Sequence, residues 1–182
     1  MRRRVAALIL AIGTAPCIAY EIETLDVLHD DGRYTVNFSV RLAAPPEKVR
    51  ALSTDFEHLA QLSDLVAESR VLAVNGNVTR LKLVLRACVL FFCKSVRRVE
   101  DVVAEANGDI STRALPAQSD FRSATERWRI QMEGNGTRFV YHAELEPDFF
   151  IPPFIGPFIM RRVLERELRE SAVRFERLAG LP

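Results

Sequence analysis

The sequence has little of what metal-dependent or triad-based catalysis requires. Its three histidines, His29, His58 and His142, have no second ligand at metal spacing and no cysteines or acids grouped around them, so no metal site is expected. There is no G-x-S-x-G elbow, no phosphate-cradling glycine loop and no dinucleotide fingerprint, and no cofactor is expected. A basic surplus is also missing: 25 lysines and arginines stand against 24 aspartates and glutamates. The first 19 residues hold three of those arginines and no acid, so the rest carries 22 basic and 24 acidic residues, a net of about −2. That balance argues against a nucleic-acid partner. The basic residues are nearly all arginine, which suits anion binding and follows equally from codon bias.

The apolar run from Val5 to Ile12 is too short to span a bilayer, which takes ~20 residues. Arg2, Arg3 and Arg4 precede it and small residues follow as far as Ala19, the pattern of an export signal cleaved after Ala19. The expected location is periplasmic or secreted. Acylation at Cys17 is disfavoured by Pro16, and a retained anchor is the other alternative. Without repeats, linkers or low-complexity tracts, residues 20–182 are expected to form one domain, able to bury roughly two-thirds of its unfolded surface.

From Tyr34 to Leu42, apolar Tyr34, Val36, Phe38, Val40 and Leu42 alternate with polar Thr35, Asn37, Ser39 and Arg41, a clean strand period of two. Proline and an acid at 46–47 predict a short helix over 46–52, and Asp55 predicts a second over 56–62. Turn pairs at Asn75-Gly76, Asn107-Gly108 and Gly134-Asn135-Gly136 divide residues 65–146 into six antiparallel strands: 65–74, 78–87, 94–105, 109–115, 119–132 and 137–146. Leu81, Leu83 and Leu85 form one inward face, and Phe139, Tyr141, Ala143 and Leu145 another. Asp101, Glu126, Glu144 and Glu146, with Arg97, Arg98, Arg113, Arg127 and Arg129, are expected on the wet face of the sheet, the alternative being a buried acid paired with arginine as an acid/base catalyst. Alternation puts Glu126 and Trp128 on one face, and Arg127 and Arg129 on the other.

Cys88 and Cys93 bracket Val89-Leu90-Phe91-Phe92. In a hairpin they face each other within reach of a disulfide. In one continuous strand they lie apart and stay reduced. An apolar tip of this kind rims a cavity, touches a membrane or folds inward.

The last stretch starts abruptly after Pro157, and Phe158, Val163, Leu164, Leu168, Ala172, Phe175 and Leu178 then recur at helical spacing. Arg161 with Glu165, Arg166 with Glu170 and Glu170 with Arg174 are spaced to pair on its solvated side. The approach Phe149-Phe150-Ile151-Pro152-Pro153-Phe154-Ile155-Gly156-Pro157 is too apolar for a wet loop and too rich in proline for a strand. It is expected to lie over apolar surface, either as a wall of an opening or as a plug for the core.

The segments YTVNFSVRLAAPPEKVRALSTDFEHLAQLSDLVAESRVL, LPAQSDFRSATERWRI, GTRFVYHAELEPDF and IPPFIGPFIMRRVLERELRESAVRFERLA together resemble the helix-grip fold of the START-like superfamily. That superfamily takes in birch-pollen-allergen-like proteins, polyketide cyclases and coenzyme Q-binding START proteins. The resemblance implies an α+β fold, with a seven-stranded antiparallel sheet wrapped around a long C-terminal helix and two short helices after the first strand. It also implies a deep apolar cavity walled by Leu83, Leu85, Phe139, Tyr141 and Trp128 from the sheet, and by Phe158, Val163, Leu164 and Leu168 from the helix, with Phe154 in the approach. The implied function is non-catalytic binding or transport of a hydrophobic small molecule or lipid. Two alternatives stand beside it: a cyclase or dehydratase acting on a polyketide-like or isoprenoid substrate, and a scaffold with a filled core that makes transient membrane or partner contact through Leu90 to Phe92.

Overall fold

The computed structural model describes residues 20–89 and 92–180. The expected export signal and the centre of the hairpin tip lie outside these residues. Eight strands form one antiparallel sheet: β1 Tyr20–Asp30, β2 Arg33–Leu42, β3 Val66–Asn75, β4 Val78–Val89, β5 Phe92–Ala104, β6 Ile110–Ala114, β7 Phe121–Glu133 and β8 Gly136–Pro147, in the order β1-β2-β8-β7-β6-β5-β4-β3. Helix α1, Pro46–Thr54, follows β2, and the long helix α2, Gly156–Leu178, ends the described chain. This is an α+β helix-grip architecture.

Two details differ from the sequence reading. The sheet has eight strands rather than seven, because Tyr20–Asp30 pairs with β2 along its whole length. A register shift between Ile22 and Thr24 breaks its alternation, and Leu28 is exposed, so this edge strand lacks a clean period. The turn that joins it to β2 holds Asp31 and Gly32 at positive φ, 43° and 80°, as a two-residue hairpin demands. The second short helix is a single 3₁₀ turn, Leu59–Gln61, whose Leu59 and neighbouring Leu62 are buried. Asp55 serves as the C-cap of α1, and its carboxylate pairs with His58 Nδ1 at 2.8 Å.

The core is split in three. One cluster gathers Phe38, Val40, Leu42, Val49, Phe139 and Phe175. A second holds Val27, Tyr34, Val36, Phe121 and Leu145, backed by Phe149, Ile151 and Met160. The third holds Leu59, Leu81, Leu83, Val102 and Ile110. Leu85, Trp128, Tyr141 and Leu168 each pack against two of these clusters, so they mark the place where the three would meet. That place is hollow.

Candidate functional site

Between the sheet and α2 lies a cavity of about 310 Å³ with almost wholly apolar walls. Strand alternation aims Leu83 and Leu85 of β4, Trp128 of β7, and Phe139 and Tyr141 of β8 into it, and α2 supplies Val163, Leu164 and Leu168. Two residues expected beside these lie elsewhere. Phe154 is 97% exposed and Phe158 is 61% exposed, and neither lines the cavity. Gly156 explains the first: a Cβ there would stand 2.2 Å from Ile151 Cγ2, so the chain folds tightly over Ile151 and Phe154 turns outward. At the first turn of α2 the inner positions are already filled by Phe149, Ile151 and Met160. Phe158 is left facing solvent, with the Arg162 guanidinium 5.1 Å from its ring centre.

The wet-face expectation fails at Arg98 and Glu126, and Glu100 joins them. All three are buried and line the cavity. Arg98 Nη1 donates to Glu126 Oε1 at 2.5 Å, and its Nε lies 2.9 Å from Glu100 Oε2 without hydrogen-bond alignment. Burial pushes the Glu100 carboxyl up to about 7, with Glu126 adding to the rise and Arg98 opposing it. Burial works against the Arg98 charge, yet Glu100 and Glu126 hold its guanidinium above the ordinary range. Burial, then Glu126, push the Tyr141 phenol well above its usual value, so it remains a donor. Trp128 Nε1 is buried without a partner. The cavity therefore has greasy walls and one polar patch with an unused N–H.

This patch was partly visible in the sequence. Along β5 the inward positions are Val96, Arg98, Glu100 and Val102, two charges inside an apolar row, but Val99 and Val103 at alternate positions give the outer face a similar look. Nothing local to β5 or β7 announced that Arg98 would meet Glu126, 28 positions away. Asp101, by contrast, faces out and pairs with Arg80 at 2.7 Å, and Glu144 and Glu146 pair with Arg33.

The loop that follows α1 walls one side through Leu59, Leu62, Ser63 and Leu65. Ser171 Oγ and Arg174 Nη1 both donate to Leu62 O, tying that loop to α2. Glu167, also at the wall, pairs with Arg174 at 3.3 Å; burial raises its carboxyl, and Ser63 and Arg174 oppose the rise. At the other end, Arg86, Lys94, Phe149 and Met160 rim the opening beside the β4–β5 hairpin. A disulfide joins Cys88 to Cys93 across that hairpin, where the two are direct cross-strand partners. The side chains of the apolar tip fall outside the described residues. Among the described residues, no group of three His, Cys, Asp or Glu side chains is placed to hold a metal ion.

Solved structures share this architecture. A Thermus thermophilus protein is 26% identical, covering 80% of this chain and 96% of its own, with a TM-score of 0.66. The Zhui aromatase/cyclase from Streptomyces sp. R1128 is 15% identical over 81% of this chain and 91% of its own, with a TM-score of 0.59. A STAR-related lipid transfer protein from Xanthomonas axonopodis is 15% identical over 87% of this chain and 99% of its own, also at 0.59. No curated protein matches the sequence significantly. The model of one family, polyketide cyclase / dehydrase and lipid transport, matches residues 33–180. Its span takes in β2 through α2, every element that walls the cavity, and the chain belongs to that START-like family.

Proposed function

We propose that the chain, once exported, binds and carries a neutral hydrophobic small molecule between sheet and α2 without chemically altering it. The observation that carries this reading is the charge balance of the polar patch. Deep in the cavity its one cation, Arg98, already faces two buried carboxylates, so no positive charge is left there for a ligand carboxylate or phosphate, and Arg86 and Lys94 stand only at the opening. Trp128 Nε1 instead offers a donor to a carbonyl or hydroxyl oxygen, beside a Tyr141 phenol turned toward Glu126. Apolar contact supplies affinity at roughly 25 cal/mol per Å² buried, and the donor orients the guest. The cavity, about 310 Å³, is at the low end of ligand pockets, suiting a single-chain or compact-ring guest rather than a two-chain phospholipid. The lipid-transfer relative supports the carrier class. Access comes from movement of the proline-rich segment against the β4–β5 hairpin.

A second reading is favoured by one specific feature. Glu100, held at about 7, both gives and takes protons near neutrality, as a cyclase or dehydratase needs. The aromatase/cyclase relative keeps that class in view.

Trp128 is the only tryptophan in the chain, so its fluorescence reports occupancy. Titration with 1-decanol and with decanoate, matched in chain length, separates neutral from anionic guests. The alcohol is expected to saturate the signal, with decanoate about tenfold weaker or worse. Equal or preferred binding of decanoate would sink the neutral-guest reading. Turnover of a polyketide-like substrate that is lost in Glu100→Gln would replace the carrier by the enzyme.

A further inference from the structure

Among the described residues nine large apolar side chains are exposed, and four of them, Phe150, Phe154, Ile155 and Phe158, fall within nine positions. Exposed apolar residues scattered singly are ordinary; a cluster at one end of a fold is not. The core does not need these four. Phe149 and Ile151 alternate with Phe150 and already fill the inner side, and the tight fold of Gly156 over Ile151 fixes that division.

The rim of this cluster is cationic. Arg162 lies 5.1 Å from the Phe158 ring centre, Lys94 lies 5.5 Å from that of Phe149, and Arg86 stands beside Lys94 at the cavity opening. None of these three pairs with a carboxylate among the described residues, whereas the nearby Arg161 is held by Glu165 at 2.7 Å. From Leu83 to Val99 the hairpin sequence contains basic residues and no acid. Exposed aromatic side chains with unpaired cations beside them are the chemistry of a protein face that lies in the interface of an anionic bilayer. No described helix is long and apolar enough to cross one.

We infer that Phe150, Phe154, Ile155 and Phe158, with Arg162 over Phe158, Lys94 over the adjoining Phe149 and Arg86 at the cavity opening, form a docking face for an anionic membrane surface. Arg86 and Lys94 also stand at the cavity mouth, so docking brings that mouth toward the lipid. The transfer of a guest there rests on the carrier reading; the docking itself does not.

The full chain and a chain starting at Tyr20, which carries every described element, are sedimented with phosphatidylcholine vesicles with and without phosphatidylglycerol. Binding of the shorter chain to the anionic vesicles is expected, weakened by salt. The Phe154→Ser/Phe158→Ser variant should lose about tenfold in vesicle affinity, and Arg162→Glu should lose anionic selectivity. Both changes sit on the surface, and far-UV circular dichroism checks that the fold survives. Vesicle binding that is absent in wild type or unchanged in the variants overturns the inference. Concentration-dependent self-association abolished by the serine variant assigns the patch to a second copy of the chain and also overturns it. Decanol titration of the same variants keeps the two proposals apart: vesicle binding without decanol binding overturns the carrier, and the reverse overturns the docking face.

Discussion

Replacing Glu100 by glutamine tests the buried patch through pH. Burial is the main reason its carboxyl rises from 4.5 to about 7, with Glu126 adding to the effect and Arg98 opposing it. Between these two values the folded chain keeps a proton on Glu100 that the unfolded chain releases. Where the folded state binds more protons, stability falls as pH rises. The shift corresponds to roughly 3 kcal/mol, present below the unfolded value and lost as pH climbs through the folded one. Glutamine copies the protonated acid in size and does not titrate. The wild-type curve, measured by urea unfolding, should therefore fall relative to the variant by roughly 3 kcal/mol between about pH 4 and about pH 8. Glu167 and Glu176, whose carboxyls burial also raises, are present in both proteins and cancel in the difference. In thermal melts each kcal/mol is worth about 2–4 °C for a domain of this size. If the two stability curves run parallel, Glu100 does not titrate in that window and the argument from its burial is wrong.

Arg98→Met leaves Glu100 and Glu126 without their cation, and stability should drop by roughly 3–5 kcal/mol at about pH 8. The drop should be smaller at about pH 5, where Glu100 carries its proton; an equal loss at both pH values would refute the ion-pair account. Reducing Cys88–Cys93, which closes a short loop, should lower stability by about 2 kcal/mol. Unchanged urea midpoints with and without reductant would contradict it. Gly156→Ala places a Cβ against Ile151 and should cost about 1–3 kcal/mol, read from the same unfolding curves. A neutral substitution there would mean that Phe154 is turned outward for some other reason.

Which parts of this molecule could be read from sequence depends on how local each signal was. Tyr34 to Leu42 alternates cleanly because one face of β2 is core, and the helical stripe of Val163, Leu164 and Leu168 comes from the same logic at a different period. Eight of the ten cavity residues expected from the resemblance line the hollow because strand alternation and the helix stripe determine which way they point. Phe154 and Phe158 broke that rule because they sit where regular structure begins. There the close approach of Gly156 to Ile151, invisible in a pattern of apolar residues, decides which side chains face in. β1 was missed because an edge strand with a bulge has no strict period. The polar patch was only partly legible for a different reason: an arginine on an antiparallel strand is ordinarily wet, and only the pairing of Arg98 with acids on its own strand and on β7 makes its burial tolerable.

The central claim is that sheet and α2 stand apart to admit a neutral guest. Its most direct test is mass spectrometry of organic extracts from the protein purified in native form, alongside Leu164→Trp, which fills the cavity from the helix side. A neutral single-chain or ring compound, stoichiometric in the wild type and missing from the folded variant, is the expected result. A wild-type extract that is empty, dominated by anionic phospholipid, or indistinguishable from that of Leu164→Trp would contradict it.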